Sequence, residues 1–389
     1  MKKVCVYNAI SPKGTDLFDL SEFQVEQELN QADAILLRSH KLTPEIIDPT
    51  VKCIARAGAG TNNVPVEHCT EQGIPVFNSP GANANAVKEL VLAALLLGSR
   101  GIVEGYKYVS QLQIEDDAEM AKLLEKEKKN YKGNEIKGQT LGVIGLGAIG
   151  SMVAEMALSL GMNVIGYDPA LSVEAAWRLP KEVTRMESVE SLLSESDYIT
   201  LHLPAIEATH HMVNADTLKH MKPTACLLNF AREQIVDTDA VVAALDGKEL
   251  RRYICDFPTN ALLNRDDVIY MPHIGASTDE AEENCAVMAV EQIIDFLRNG
   301  NIKFSVNFPR TYLERKKGFR LSISNQNVPK VLGQVLSVFA DHNINVIDMI
   351  NKSRNDIAYN LIDVATQPSD EVIDGIKQID GILRVHSLS

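Results

Sequence analysis

The chain has 389 residues, 45% of them apolar, which is enough for two or three domains with large cores. Its formal net charge of −14 argues against a nucleic-acid or anionic-membrane partner, which attracts basic surfaces, while a small anionic substrate needs only a local basic pocket. Six cysteines, Cys5, Cys53, Cys69, Cys226, Cys255 and Cys285, form no CxxC pair and lie mostly in apolar runs. They read as reduced thiols of a cytoplasmic protein, and no metal site is expected.

The opening stretch, MKKVCVYNAIS, has the look of a leader peptide, but its apolar run breaks at Asn8 and Ser11-Pro12 follows. A first buried strand is the better expectation. Short apolar runs at Lys3–Tyr7, Ala34–Leu37, Cys53–Ala57 and Pro75–Asn78 alternate with helix-length amphipathic segments. That alternation predicts βαβ units and a parallel sheet. One long helix is expected from Asn85 to about Gly105. Its apolar run, Leu90–Leu97, is far too short to span a bilayer. The charged stretch from Glu115 to Lys129 predicts a solvated helix with i,i+4 pairs.

A second series begins at Thr140, with strands expected at Leu141–Ile144, Asn163–Tyr167, Tyr198–Leu201, Cys226–Asn229 and Tyr253–Cys255. A helix from about Asp279 to Asn299 follows. Composition then breaks at Phe308-Pro309-Arg310, with basic residues through Lys317. From Gly318 to Ser389 the order is βαββαβ, the ferredoxin-like split motif. The fold class is therefore α/β: two doubly wound, Rossmann-like domains plus a small C-terminal ferredoxin-like unit.

Chemistry enters at Thr140–Gly150, where Gly145, Gly147 and Gly150 form GxGxxG directly after a strand and at the start of a helix. Gly145 permits a tight turn, Gly147 lets backbone approach a pyrophosphate, and Gly150 lets helix and strand pack closely. The helix N-terminus offers free N–H groups to phosphate. The next strand ends in Asp168, 18 residues past Gly150. An acid there hydrogen-bonds adenosine ribose hydroxyls and repels a 2′-phosphate, so NAD is expected over NADP. Arg232 ends a later strand, and His273 sits in a loop before the Asp279 helix. A guanidinium can grip a carboxylate, and an imidazole can take a hydroxyl proton near neutral pH.

GLGAIG, YDP, HLP, NFAR and PHIGAST, in this order, resemble the D-2-hydroxyacid dehydrogenase family over about residues 1–308. With the C-terminal module, which resembles an ACT domain, the chain is similar to the family branch that oxidises D-3-phosphoglycerate. The resemblance implies a discontinuous substrate-binding domain (1–82 and 279–308), an NAD-binding domain (83–278) and an ACT domain (318–389). It implies His273 as general base and Arg232 as carboxylate clamp. Cofactor contacts are implied at Ala148, Ile149, His202, Pro204, Thr209, Ala231, Asp256, Gly275 and Ala276. Arg38 and Ser39 match a pair that contacts the substrate phosphate. Ala59, Gly60 and Asn83 match positions beside the substrate.

Two departures stand out. The family glutamate that supports the histidine is replaced by Asn260. Asp256 lies one place nearer Phe257 than the family aspartate, so either it supports His273 or the histidine has a neutral partner. Glu233 follows Arg232 where the family has glycine. In the ACT loop Asn325, Asn327 and Lys330 stand where serine-sensitive relatives carry HxNxPG, and Asn345 matches a further ligand-side amide. L-serine or another amino acid is one expectation for this module, and a purely structural dimerisation unit is the other. The resemblance also implies a homo-oligomer. The rival functions are the same chemistry on another acid (glycerate, phosphoerythronate, 2-hydroxyglutarate) and an NAD-responsive scaffold.

Overall fold

The computed structural model describes residues 1–27 and 29–388. The chain forms two compact units: Met1–Asn83 with Asp279–Ser389, and Ala84–Thr278. Among the described residues no helix is long and apolar enough to cross a membrane.

In the first unit, β1 (Lys2–Val6), β2 (Phe23–Glu26), β3 (Ala34–Leu37), β4 (Cys53–Arg56) and β5 (Val76–Phe77) form a sheet in the order β2-β1-β3-β4-β5. Every pairing is parallel. Successive side chains of one strand serve opposite faces. Val4, Ala34 and Leu36 join Ile293 and Phe296 of the Asp279–Asn299 helix, whereas Cys5, Ile35 and Leu37 join Ile54 and Ile74 on the other side. Burial on both faces is why these strands are unbroken apolar runs. That helix covers one face, which is why a segment so late in the chain belongs to this unit.

The C-terminal part of the same unit has β13 (Phe319–Gln326), β14 (Val346–Arg354), β15 (Ile357–Val364) and β16 (Ile382–Leu388), all antiparallel, in the order β14-β15-β13-β16. Helices Val331–Asp341 and Asp370–Lys377 complete the βαββαβ order. Arg320 is 1% exposed and forks onto Asp363 at 2.6 and 2.7 Å. It also donates to the carbonyls of Asn299, Leu313 and Glu314. Every N–H of the guanidinium is thus engaged, the condition under which a buried charge is tolerated.

The second unit has β6 (Thr140–Ile144), β7 (Asn163–Tyr167), β8 (Thr184–Arg185), β9 (Tyr198–Leu201), β10 (Cys226–Asn229), β11 (Arg252–Cys255) and β12 (Val268–Tyr270). They form a parallel sheet in the order β12-β11-β10-β9-β6-β7-β8. The single helix expected from Asn85 is two, Ala84–Ser99 and Ile102–Ser110. A Cβ at Gly101 would come within 3.0 Å of Tyr131 Cα, so the chain turns where Tyr131 packs. The charged stretch is helical over Asp117–Glu127, its first turn capped by Asp116 on the Glu119 N–H.

Candidate active site

Open parallel sheets bind ligands beyond the carboxyl ends of their strands, where the strand order reverses. In the second unit that point lies between β6 and β9, which places Gly145 beside His202. Gly145 has φ +90°, and a side chain there would overlap the His202 carbonyl. A Cβ at Gly150 would overlap the Gly145 carbonyl, so the helix start and the turn fit only as glycines. Gly147 differs: nothing lies within 4 Å of the Cβ position, which opens a cradle. Gly147 N-caps the Ala148–Ser159 helix and no side chain caps it, leaving the first-turn N–H groups of Ala148, Ile149 and Gly150 for an anion.

Asp168 follows β7, and its oxygens accept from the Leu146 and Ala170 N–H groups at 2.8 and 2.9 Å. The aspartate therefore braces the glycine turn and keeps further lone pairs. His202 meets Thr200 Oγ1 at 3.0 Å, while its Nδ1 is buried with no partner among the described residues. Burial pushes the ring down to about 3, so it stays neutral. Thr209 is buried and holds the loop after β9 through the Pro204 carbonyl at 2.6 Å and the Ile206 N–H at 3.0 Å. The open cradle, the uncapped helix end and the orphan Nδ1 fit a dinucleotide.

Arg232 sits past β10 in extended backbone, and one Nη1 proton goes to the Ala231 carbonyl at 2.6 Å. The turn is held by Asn229, fully buried, which accepts from the Ala231 N–H and donates to the Arg232 carbonyl. Sequence reasoning passed over Asn229; its signal was an amide ending an otherwise apolar strand. Glu233 is exposed and begins a 3-10 turn, Glu233–Ile235.

His273 is exposed with φ +58°, a left-handed conformation uncommon outside glycine. Asp256, 1% exposed, fixes this loop: its oxygens accept the N–H groups of Ile274 and Gly275 at 2.8 and 2.7 Å. The imidazole packs on Phe257, with ring centroids 4.8 Å apart. Neither expected supporter bonds to it among the described residues. Asp256 is committed to backbone, and Asn260 is exposed at the start of the 3-10 turn Asn260–Leu262. Gly275 is buried against Asp256, and Ala276 is half-buried.

The other substrate positions belong to the first unit. Its strand order reverses between β1 and β3, and Arg38-Ser39 begins beyond β3 at that point. Asn8, missed by sequence reasoning except as a break in an apolar run, has φ +69° and accepts from the N–H groups of Ser39 and His40. Arg56 donates to the carbonyls of Arg38 and Gly60, tying the phosphate candidate to the Ala59-Gly60 loop. Arg38 Nη1 forms an ion pair with Glu282. Asn83 Oδ1 is buried without a partner among the described residues.

In the C-terminal module Asn325 is 4% exposed and both ends of its amide are used. It donates to the Gln326 carbonyl and accepts from Asn360, which in turn accepts from Asn351. Its expected part as an effector ligand is thus taken by a cross-strand amide ladder. Asn327 and Asn345 are exposed, and Asn327 donates to the Asn355 carbonyl at 3.1 Å. Lys330 takes φ +79°, preserving the turn that glycine makes in the motif.

Residues 92–275 match the NAD binding domain of D-isomer specific 2-hydroxyacid dehydrogenases, and residues 319–380 match the ACT domain. The chain belongs to the D-isomer specific 2-hydroxyacid dehydrogenase family, in a form that carries an ACT domain. It is 34% identical to the D-3-phosphoglycerate dehydrogenase of Haemophilus influenzae, over 94% of this chain and 88% of that protein. It is 36% identical to the Synechocystis D-3-phosphoglycerate dehydrogenase over 79% of this chain, but spans only 56% of that protein. The NAD+-bound 3-phosphoglycerate dehydrogenase of Entamoeba histolytica is similar in structure, with a TM-score of 0.62 and 28% identity over 80% of this chain and 99% of that one.

Proposed function

We propose that the protein oxidises D-3-phosphoglycerate to 3-phosphohydroxypyruvate with NAD, the first step of phosphorylated serine biosynthesis, in the cytoplasm. The observation that carries this reading is Arg38-Ser39 at the strand-order reversal of its sheet, in a chain similar over most of its length to D-3-phosphoglycerate dehydrogenases. Arg38 and Ser39 take the phosphate through a charge-assisted fork and a hydroxyl. Arg232, with one proton spent on the Ala231 carbonyl, keeps donors for the carboxylate. His273 takes the hydroxyl proton as the C2–H bond breaks. NAD, when bound, accepts the hydride at the nicotinamide ring. Asp256 acts through the loop, holding His273 in its left-handed conformation.

Glu282 favours a second reading. Its ion pair with Arg38 occupies the cation that a phosphate needs, which suits an unphosphorylated D-2-hydroxy acid. An NAD-responsive scaffold is the third. Turnover with NAD or NADP across D-3-phosphoglycerate, D-glycerate and D-2-hydroxyglutarate separates them. Preference for the phosphorylated acid with NAD is expected; equal kcat/KM on the unphosphorylated acids selects the second reading, and no turnover on any selects the scaffold.

Ile102, Tyr106 and Val109 are exposed at i, i+4 and i+7 of one helix, which supports a homo-oligomer. With Asn325 committed to the ladder, a regulatory amino acid such as L-serine has Asn327 and Asn345 as its amide contacts.

A further inference from the structure

The basic stretch that begins at Arg310 has no part in the chemistry above. In the fold only its first residue, Arg310, lines an open cleft of about 540 Å³, together with residues that follow β5, the segment Lys303–Pro309 and the end of β14. Three cationic side chains besides Arg310, namely Lys303, Lys352 and Arg354, line this cleft, and no carboxylate is among its described lining residues. In a chain of net charge −14 that is a local inversion of sign. Lys303 reaches Asp295 at 3.1 Å from outside the lining. Arg354 gives an Nη1 proton to the Ser305 carbonyl at 3.0 Å, a contact that orients the fork without neutralising it. Lys352 is exposed. The cleft also contains Asn78, whose side chain donates to the Ala59 carbonyl at 2.6 Å.

We propose that this cleft is a second anion site, distinct from Arg38, which takes a small phosphate-bearing molecule on Lys303, Lys352 and Arg354. Lys303 has Asp295, but Lys352 and Arg354 meet no carboxylate among the described residues, so their like charges repel unless an anion sits between them. The guanidinium matches phosphate geometry, and the two ammonium groups supply point charges. An occupant joins β14 of the ACT module to Asn78, and through it to the Ala59-Gly60 loop. That last link rests on the proposed function; the binding does not.

The test uses full-length protein carrying Arg38→Ala and saturated with NAD, so that the other two phosphate positions are removed or filled. Inorganic phosphate is titrated by calorimetry and by melting temperature, against sodium chloride at matched ionic strength. Phosphate should bind and raise Tm where chloride does not. Lys352→Ala combined with Arg354→Gln should weaken phosphate binding about tenfold or more, the scale of one charge-assisted contact. If circular dichroism shows that double variant misfolded, Lys303→Gln carries the same expectation. Unchanged phosphate affinity in the folded variant, or a phosphate response no larger than that of chloride, overturns the proposal.

Discussion

The glycine turn after β6 and the Arg38 loop after β3 occupy equivalent places, each at the strand-order reversal of a parallel sheet, yet they are built on opposite terms. The first offers backbone: Gly145 and Gly150 are forced by contacts inside the turn, and Gly147 faces open space. The second offers side chains, and those are already engaged, Arg38 with Glu282 and Arg56 with two carbonyls. A backbone cradle is specified by local spacing alone. A charged side chain is available to a ligand only if the rest of the fold leaves it so.

The largest effect that can break this comparison concerns the proposed general base rather than either cradle. His273→Asn should lower kcat about 10²- to 10⁴-fold, the usual worth of a positioned general base, with NAD affinity unchanged. A loss below tenfold would remove His273 from the chemistry. The next effect separates structure from binding inside the glycine turn. Gly150→Ala forces a methyl onto the Gly145 carbonyl and should cost about 1–3 kcal/mol of stability in urea unfolding. Gly147→Ala meets no neighbour, so it should leave stability intact and weaken NAD binding about tenfold by filling the cradle. Equal stability losses in both variants would mean that Gly147 is structural.

What was legible in the sequence follows the same division. Most strands, the dinucleotide turn, Asp168 and the βαββαβ order are local patterns, set by side-chain period and glycine spacing, whereas the short strands β2, β8 and β12 were not among those expected. Arg38 was legible as a cation, but its pairing with Glu282, far along the chain, was not. Asn325 was legible as an amide in a motif, while its capture by Asn360 depends on the β13–β15 register. Asp256 stood out as one of two partners for His273; its bonds to Ile274 and Gly275 arise from where β11 ends against the histidine loop. The break at Gly101 required Tyr131, which no local window contains.

Glu282 gives a smaller effect of the opposite sign. Its side chain is 41% exposed and that of Arg38 34%, so the pair is worth a few tenths of a kcal/mol to about 1 kcal/mol. Glu282→Gln should free the guanidinium and lower KM for D-3-phosphoglycerate about two- to fivefold, leaving KM for D-glycerate unchanged. A parallel change on both acids would place the ion pair outside the phosphate position.

The last comparison takes one histidine from each unit. His202 and His386 each have a buried ring nitrogen without a partner among the described residues, and each is pushed down from 6.5 to about 3. Burial alone does this at His202. At His386 burial leads, Lys52 and Arg384 add to it, and Asp33 opposes them. Between pH 6.5 and about 3 the unfolded chain binds a proton that each folded ring refuses. Stability therefore falls as pH falls through that window and is regained above it, with a slope of about 1.4 kcal/mol per pH unit for each full proton. His202→Gln and His386→Gln should each flatten the slope of urea-unfolding free energy between pH 6 and 4.5. The two should part company in salt. Added ions screen the repulsion from Lys52 and Arg384, which lets His386 protonate more readily in the folded state. The slope removed by His386→Gln should therefore shrink from low to high ionic strength, while the slope removed by His202→Gln stays the same. Identical salt responses would show that burial alone keeps both rings neutral.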